Sequence, residues 1–545
     1  MKRLTQVGLA VLIAGLVLLL KGSSPLVTTA TAQTQNKAQQ QAKESTRSAP
    51  PDTTPYTRPA LPEDSAPRGV RAIPLLPGVS SIIVDVVVNN TDPNLTNTDT
   101  FNDGETSIAV NPANINEIVI TAFSESWGAN APLWQSTDGG NIWTKQFTIP
   151  APPGVAAAGC PCDQAVDYGR NNQMSGTFLI SDIFSGTTTD PASAAAWNWL
   201  VIAGVTQRTN HLVPSSFGDA DQPWLLVNRD PTTSTQDDVY AAYDDFSGGP
   251  DMRVAASFGV DPPNFTIDNQ SGTSTGGDRF NPGHRLAVDP QTGFVYSLFQ
   301  RCVGNCGGDP KNINYMLNRS TDGGATWILN GMPGGIIVAN ADSTQPQPKF
   351  GTVNALLGGA DHAAVDPNNG DVYYVYGSRD AGTGNDRLAI RRIFDNGGGG
   401  VTVGPENFVT GQVEAAIPSV AVASNGIVGV FYYTFDGFSS GFPIFSAHLA
   451  QSSDQGVTFS DQILETFLSS AADNGDPRQR VLGDYMQMKA VGTCFYGAFT
   501  GNGVPFGRPF SNHDPIFFRA CPASTRPTPT PRSRPTPAPR PTPPR

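Results

Sequence analysis

The chain has 545 residues, of which 57 are glycine and 47 are proline, and only 15% of its residues are charged. This composition excludes a coiled coil or a helical bundle, and it favours many short strands joined by turns. The formal net charge of −13 argues against a nucleic-acid-binding protein. We therefore predict an all-β fold class, while the composition alone indicates no substrate.

The N-terminus has the features of a secretory signal peptide, assigned to residues 1–32. Lys2 and Arg3 form a basic start, and an apolar run extends from Val7 to Leu20. Ala30 to Ala32 form a small-x-small cleavage site. An uncleaved membrane anchor is the alternative, but these 14 residues would span only about 21 Å of a hydrocarbon core about 30 Å thick. We expect a secreted or extracellular protein without stable membrane insertion, and association with the cell envelope stays open.

Residues 33–68 and 523–545 lack the apolar content of a folded domain. The first segment is rich in Gln, Thr, Pro and Ala, and the second combines proline with threonine and arginine. Neither segment can bury enough apolar surface to offset the entropy of ordering, so both are predicted to be disordered. The tail is either a solvated spacer or an electrostatic contact to an anionic envelope. The folded domain is assigned to residues 69–522.

A strand-turn-strand pattern recurs about every 63 residues in this domain. Each copy opens with a short apolar strand, and a second strand rich in Val, Tyr and Phe follows a turn. The first strands are Ser107–Pro112, Gln164–Tyr168, Trp224–Arg229, Leu286–Pro290, Ala363–Pro367, Pro418–Ala423 and Tyr485–Lys489. With a further hairpin in each copy, the spacing predicts a single β-propeller of four-stranded antiparallel blades. Seven blades are favoured, and six remain possible.

The last copy contains only three predicted strands, and an unmatched strand, Ser81–Val88, precedes the first copy. If this strand pairs with the last blade, the two ends of the domain close the ring together. Such closure leaves no exposed edge at the junction. We therefore predict that the last blade is built from both ends of the domain.

The six cysteines suit an exported protein in an oxidising compartment. Cys494 and Cys521 lie on neighbouring predicted strands of the last blade, so we predict a disulfide between them. Cys302 and Cys306 flank three residues and are predicted to close a small loop. The state of the thiols in the Cys160-Pro161-Cys162 segment is left open.

Three segments share the tighter motif Ser-x-Asp-x-Gly-x-(Thr/Ile)-(Trp/Phe). They are Ser136–Trp143, Ser320–Trp327 and Ser452–Phe459. The aspartate can accept N–H bonds within its own turn, and the glycine supplies a positive φ. This motif resembles the Asp-box, or bacterial neuraminidase repeat, of the sialidase superfamily, and the resemblance covers about residues 81–522. It implies that Asp138, Asp322 and Asp454 are structural residues on the face opposite the active site.

The resemblance also implies an exo-α-sialidase-like glycoside hydrolase. Sialidases clamp the substrate carboxylate with three arginines, and they use a tyrosine nucleophile assisted by glutamate together with an aspartate acid/base. Their Phe/Tyr-Arg-Ile-Pro motif has no match here, since the nearest segment, Val70–Pro74, lacks the aromatic residue and carries one extra residue. The missing motif favours a non-catalytic propeller that binds a glycan or a cell-surface ligand. Whether the chain is an enzyme stays open.

Propeller ligands commonly bind where the innermost strands enter the central channel. The residues just ahead of the first strands, together with one residue at the end of a second strand, should ring this mouth: Glu105, Asp163, Asp221, His284, Arg285, Asp361, His362, Asp484, Tyr485 and Arg379. We interpret Asp163, Asp361 and Asp484 as candidate catalytic carboxylates and Tyr485 as a candidate nucleophile. The other residues are candidate ligand contacts. Alternatively, the whole ring caps strands and solvates the channel.

No motif requires a cofactor, and no histidine pattern predicts a zinc site. The acidic loop from Asp92 to Asp103 contains three carboxylates that could hold Ca²⁺. It lacks the spacing of an EF-hand, so a plain solvated loop is the alternative. The expected partners are a carbohydrate or a cell-surface ligand, with no nucleic acid, and the expected state is a monomer.

Overall fold

The computed structural model describes a β-protein between residues 70 and 522. The described ranges are 70–74, 79–86, 103–123, 127–157, 162–169, 171–233, 235–249, 251–273, 283–304, 311–343, 361–440, 442–469, 482–506 and 513–522. The predicted signal peptide, linker and tail lie outside them. Within these ranges the helices are three-residue 3₁₀ turns, at Ala194–Ala196, Pro214–Ser216, Gly397–Gly399 and Val504–Phe506. None of the helices described is long and apolar enough to cross a membrane.

The strands form seven antiparallel blades, which confirms the predicted seven-bladed β-propeller. Blade 1 contains β3 (Gly104–Val110), β4 (Ile118–Phe123), β5 (Asn130–Ser136) and β6 (Thr144–Pro150). Blade 2 contains β7 (Cys162–Tyr168), β8 (Met174–Leu179), β9 (Ile183–Thr188) and β10 (Asn198–Trp199). A small hairpin of β11 (Val201–Ile202) and β12 (Val205–Thr206) follows. Blade 3 contains β13 (Ala220–Arg229), β14 (Asp237–Asp245), β15 (Asp251–Phe258) and β16 (Ile267–Thr273).

The remaining four blades complete the ring. Blade 4 contains β17 (Arg285–Val288), β18 (Val295–Val303), β19 (Lys311–Ser320) and β20 (Ile336–Ser343). Blade 5 contains β21 (Asp361–Val365), β22 (Val372–Arg379), β23 (Asp386–Asp395) and β24 (Val401–Phe408). Blade 6 contains β25 (Ala415–Val422), β26 (Val428–Ser439), β27 (Phe442–Ser452) and β28 (Ser460–Leu468). Blade 7 contains β1 (Val70–Pro74), β2 (Val79–Asp85), β29 (Gln487–Val491), β30 (Cys494–Asn502) and β31 (His513–Pro522).

The hydrophobic core lies between neighbouring blades. One cluster joins blades 6 and 7, another joins blades 4 and 5, and others join blades 7 and 1 and blades 1 and 2. The first and second strands are therefore buried on both sides, and every residue of β3 and β4 is buried. The outer strand β24 instead has only two buried residues, Val401 and Gly404, and its other positions are exposed or half-buried. This burial explains why the inner strands are near-continuous apolar runs in the sequence.

The two faces of the propeller carry connections of different length. First and second strands are joined by two to seven residues, and we call the face with these connections the turn face. The opposite face, which we call the long-connection face, carries the links between blades. There, 17 residues join β20 to β21 and 18 residues join β28 to β29. Because binding residues concentrate on loops held by a rigid scaffold, the long-connection face is the natural location of a site.

The three Ser-x-Asp-x-Gly motifs form the turns between third and fourth strands on the turn face. In the last motif, Asp454 accepts hydrogen bonds from the Thr458 amide at 2.9 Å and from its hydroxyl at 2.6 Å. The Ser452 hydroxyl donates to Asp454 at 2.7 Å. Asp138 and Asp322 accept bonds within their own turns in the same way. All three carboxylates are thus engaged in holding their own turns.

Blade 7 closes the ring with strands from both ends of the domain, as predicted. Strand β2 pairs antiparallel with β31, from Val79 opposite Pro522 to Asp85 opposite Ile516. Strand β1, which the sequence pattern does not predict, adds a fifth strand outside β2. Strand β1 is the Val70–Pro74 segment, and it lies four strand spacings, about 19 Å, from the innermost strand β29. The nearest relative of the sialidase arginine motif is therefore remote from the channel.

The disulfide prediction for blade 7 is confirmed. Cys494 and Cys521 are bonded across the neighbouring strands β30 and β31. Cys302 is also disulfide-bonded. Its predicted partner Cys306 lies outside the described residues, as does Cys160.

Candidate functional site

Four of the seven first strands contain a β-bulge close to the long-connection face, with a non-glycine residue at positive φ. These residues are Glu105 (φ 51°), Asp163 (φ 32°), Gln222 (φ 46°) and Ile417 (φ 52°). A non-glycine residue in this conformation costs on the order of 1 to 3 kcal/mol, and such strain clusters at functional sites. Three of the four residues carry an acidic or amide side chain. The strained backbone therefore aims polar groups from blades 1, 2 and 3 at the channel.

Asp484, on the segment that leads into blade 7, links these groups. Its Oδ2 accepts a hydrogen bond from Gln222 Nε2 at 2.8 Å, and its amide donates to Glu105 Oε1 at 3.1 Å. Gly483 has a φ of +85°, and a Cβ added there would lie 2.3 Å from Glu105 Cγ. Only glycine therefore allows the Glu105 side chain to approach Asp484. We call Glu105, Asp163, Gln222, Asp484 and Tyr485 the mouth cluster.

Tyr485 lies at the centre of the mouth cluster and is only 3% exposed. Its hydroxyl lies 3.5 Å from the backbone oxygen of Gln164. Burial raises the pKa of Tyr485 well above its ordinary value, and the negative charges of Asp163 and Glu105 raise it further. The phenol is therefore protonated at neutral pH, and any nucleophilic role would need a base to remove its proton.

Arg285 extends from blade 4 across the channel. Its guanidinium carbon lies 4.6 Å from the Trp224 ring centroid and 5.0 Å from that of Tyr485, so two aromatic rings flank the cation. Its Nη1 donates to the backbone oxygen of His284 at 2.8 Å. His362 contacts the same Trp224 ring edge-on at 5.6 Å. We call Trp224, Arg285 and His362 the stacked group.

His362 is a neutral imidazole in this environment. Burial lowers its pKa to about 3, and the Arg285 charge acts in the same direction. The Val420 amide donates to His362 Nδ1 at 3.1 Å, so Nδ1 carries no proton. In the neutral ring the proton therefore resides on Nε2, which makes Nε2 a hydrogen-bond donor.

Asp361, on the neighbouring position of β21, is a buried carboxyl with two donors. Gln300 Nε2 donates to Oδ1 at 2.7 Å, and the Tyr374 hydroxyl donates to Oδ2 at 2.5 Å. Burial raises the pKa of Asp361 to about 6, although both hydrogen bonds and Arg285 oppose the rise. A carboxyl of this kind can hold a proton near neutral pH beside ionised neighbours.

The structure brings most of the predicted ring together, but it places some members elsewhere. His284 bonds Ser297 Oγ at 2.9 Å and the Tyr243 backbone oxygen at 3.3 Å, between blades 3 and 4. Asp221 faces Asp244 in the pairing of β13 with β14. Arg379 lies at the half-buried end of the second strand β22.

The expectation of a solvated acidic mouth is corrected by the burial of its members. Asp163 and Asp484 are 0% exposed, Asp361 and Arg285 are 1% exposed, and Glu105 is 3% exposed. The cluster lies beneath the long-connection face rather than on its rim. The polar partners Gln222, Gln300 and Tyr374 were not predicted from the sequence. Of these three residues, only Gln222 could have been found from the sequence, because it directly follows the predicted ring residue Asp221.

The described residues contain no group of three or more His, Cys, Asp or Glu side chains placed to hold a metal ion. Of the acidic loop proposed for Ca²⁺, Asp103 is described, and it is 1% exposed. Asp92 and Asp99 lie outside the described residues. Calcium binding therefore stays a prediction from the sequence.

Comparisons with known proteins find structural likeness without sequence likeness. The polysaccharide lyase Uly1 matches with a TM-score of 0.44 and 9% identity, over 75% of this chain and 88% of that one. The α-L-arabinofuranosidase Arb93A of Fusarium graminearum matches with a TM-score of 0.35 and 13% identity, over 65% and 99%. The α-L-arabinanase of Penicillium chrysogenum matches with a TM-score of 0.32 and 14% identity, over 58% and 96%. No protein-family model and no curated protein matches the sequence. At this similarity the likenesses carry no argument about activity or substrate.

Proposed function

We propose that this chain is an exported seven-bladed β-propeller that binds a glycan or another cell-surface ligand on its long-connection face. The buried mouth cluster forms the floor of the proposed site. One observation carries the proposal: Glu105, Asp163 and Gln222 sit at strained positive φ on three successive blades. Strain of this kind persists only where the surrounding structure enforces it, and it is typical of ligand sites. Export is supported by the N-terminal signal pattern and by the Cys494–Cys521 disulfide.

The test of this proposal is a binding screen with matched variants. The secreted protein is applied to a glycan array, and hits are measured by calorimetry for wild type, Asp163→Asn and Asp484→Asn. Each substitution keeps the side-chain shape but removes a charge, so we expect at least tenfold weaker binding. Asp190→Asn, an exposed change beyond the turn-face end of β9, is the matched control and should bind like wild type. Full affinity in both cluster variants would contradict the proposed site.

A glycoside hydrolase is the second candidate function. It is favoured by Asp361, whose pKa of about 6 would supply a general acid near neutral pH. Asp163 and Glu105 would act as carboxylate partners, and the sialidase-type alternative makes Tyr485 the nucleophile with Glu105 as its base. The sialidase-type alternative requires Glu105 to accept the proton of the Tyr485 hydroxyl. The charge of Glu105 itself raises the pKa of Tyr485.

A neutral sugar suits the cluster better than sialic acid. The cluster is acidic, whereas a sialidase clamps an anion with three arginines. Arg285 contributes one guanidinium. Among the described residues, six other arginines are held in ion pairs with aspartate or glutamate: Arg208, Arg253, Arg319, Arg387, Arg391 and Arg392. A panel of aryl glycosides that includes an aryl sialoside distinguishes the substrates, and Asp361→Asn should abolish any activity found. Turnover that persists in Asp361→Asn would exclude Asp361 as the acid.

A further inference from the structure

The inner strands line a partly open cavity of about 220 Å³ in the central channel, and the proposed function does not use it. Its walls are mainly aliphatic, with Leu226, Leu286, Val288, Val365 and Val422 from blades 3 to 6. On blade 5 it extends from His362 to Val365, three residue steps or about 10 Å along the strand. An apolar cavity of about 150 Å³ in another protein accepts benzene, so this volume suits a substituted benzene.

The two ends of the cavity differ in solvent access. At the end towards the mouth cluster, Trp224 is 2% exposed, and Arg285 and Tyr485 behind it are equally sealed. At the turn-face end, Lys489 and Asp167 form an ion pair whose side chains are 16% and 14% exposed. A ligand would therefore enter from the turn face and place its leading group against the stacked group.

The stacked group at the sealed end contains three hydrogen-bond donors without acceptors. Trp224 Nε1, Arg285 Nη2 and His362 Nε2 are buried, and none has a hydrogen-bond partner in the part of the chain that the structure describes. Trp224 and His362 line the cavity, and Arg285 stacks on Trp224. A buried donor without an acceptor costs about 1 to 3 kcal/mol, so this end of the cavity favours a group that accepts hydrogen bonds.

The charge around the stacked group decides which acceptor fits. Asp361 and Tyr485 both experience the Arg285 charge, and Tyr485 also experiences Asp163, Glu105 and Asp484. Asp361 thus lies near Arg285, and three further carboxylates lie near the Tyr485 ring that Arg285 contacts. A further anion would be repelled by them, whereas a carbonyl or ether oxygen accepts the free donors without adding charge.

We propose that the central channel is a second ligand site, which binds a small neutral molecule with an apolar body and one oxygen acceptor. The apolar body lies along the aliphatic walls, and the oxygen accepts hydrogen bonds from the two donors that line the sealed end, Trp224 Nε1 and His362 Nε2. The site is distinct from the mouth cluster and opens on the other face of the propeller. It does not depend on the glycan-binding proposal.

The test uses acetophenone as the probe, with ethylbenzene and benzoate as size-matched comparisons. Binding is followed by calorimetry and by the ¹⁵N-indole NMR signal of Trp224, which is identified by its loss in Trp224→Phe. We expect acetophenone to bind at least tenfold more tightly than ethylbenzene, which lacks the oxygen, and more tightly than the benzoate anion. Binding should shift the Trp224 indole signal.

Two variants keep the proposal falsifiable. Trp224→Phe removes a donor but keeps an aromatic wall, and Ala364→Leu fills the cavity from β21, so each should weaken acetophenone binding at least fivefold. Trp199→Phe, in the outer strand of blade 2, is the matched control and should leave acetophenone binding unchanged. Absent binding to wild type, or binding that both channel variants retain, would overturn the site. Tighter binding of benzoate would overturn the proposed ligand class.

Discussion

Closure of the ring by β2 can be tested with one buried side chain. Ile83 lies on β2, is 0% exposed, and packs in the core between blades 6 and 7. Ile83→Ala should leave a cavity that costs about 3 kcal/mol, within the usual range for a buried isoleucine. Ile463→Ala is the matched control, because Ile463 lies on the fourth strand of blade 6 but is 50% exposed. The control should change the free energy of unfolding by less than about 0.5 kcal/mol.

Removal of the whole strand should have a larger effect. Ile83, Val84 and Val86 are each 0% exposed, and burial of three such side chains contributes about 7 kcal/mol. A body of roughly 450 residues has an unfolding entropy of about 0.9 kcal/mol/K, so the loss corresponds to a fall in melting temperature of about 7 °C. The deletion also unpairs the edge of β31, which exposes a template for aggregation.

The assay compares two N-terminal deletions by calorimetry and light scattering. Deletion of residues 33–68 removes only the predicted linker and should leave the melting temperature unchanged. Deletion of residues 33–90 removes β1 and β2, and it should lower the melting temperature and cause association. Equal stability of the two deletions, together with equal effects of Ile83→Ala and Ile463→Ala, would refute closure by β2 as a stabilising contact.

Three further predictions concern the disulfide, Asp361 and a motif turn. Replacing both Cys494 and Cys521 by Ser should lower the free energy of unfolding by about 3.5 kcal/mol, because the disulfide spans 27 residues. An unchanged midpoint of denaturant unfolding would show that the disulfide adds no stability. Since the folded pKa of Asp361 is raised to about 6, its stability contribution is fully present below its unfolded pKa of 3.8 and is lost as pH rises through 6. The free energy of unfolding of wild type should therefore fall by about 3 kcal/mol relative to that of Asp361→Asn between about pH 4 and pH 7. A difference in unfolding free energy that does not change with pH would refute the raised pKa. Asp454→Ala should lower the melting temperature without affecting ligand binding, because Asp454 holds its own turn through Thr458, and an effect on binding would contradict a structural role.

Local sequence signals were sufficient for the architecture. The seven first strands, the turns between third and fourth strands, and the pairing of a strand near Ser81 with the last blade all follow from short periodic patterns. Each blade is built from consecutive hairpins, so its strand order is set by neighbours along the chain. The Cys494–Cys521 bond was predictable for the same reason, since the two residues lie on adjacent strands. Strand β1 was missed because Val70–Pro74 is short and lies outside the repeat.

The composition of the mouth cluster could not be predicted in the same way. Gln222 and Asp484 are 262 residues apart, and Glu105 and Asp484 are 379 apart, yet they share hydrogen bonds. These contacts depend on closure of the ring and on β-bulges at Glu105 and Gln222. The positive φ values at the two positions cannot be predicted from the residue types glutamate and glutamine. Strand position predicted which carboxylates would lie near the channel, but not which partners they would find.

The sequence by itself favoured seven blades over six, and it predicted the first strands, the motif turns and several of the carboxylates that lie near the channel. It did so because hydrophobic periodicity and turn chemistry act between neighbours in the chain. Only the tertiary structure decided that the expected acidic rim is buried, that Asp361 holds a raised pKa, and that Trp224, Arg285 and His362 meet around a cavity. The reason is that desolvation and charge interactions depend on distance in space, and closure of the ring brings distant segments within that distance.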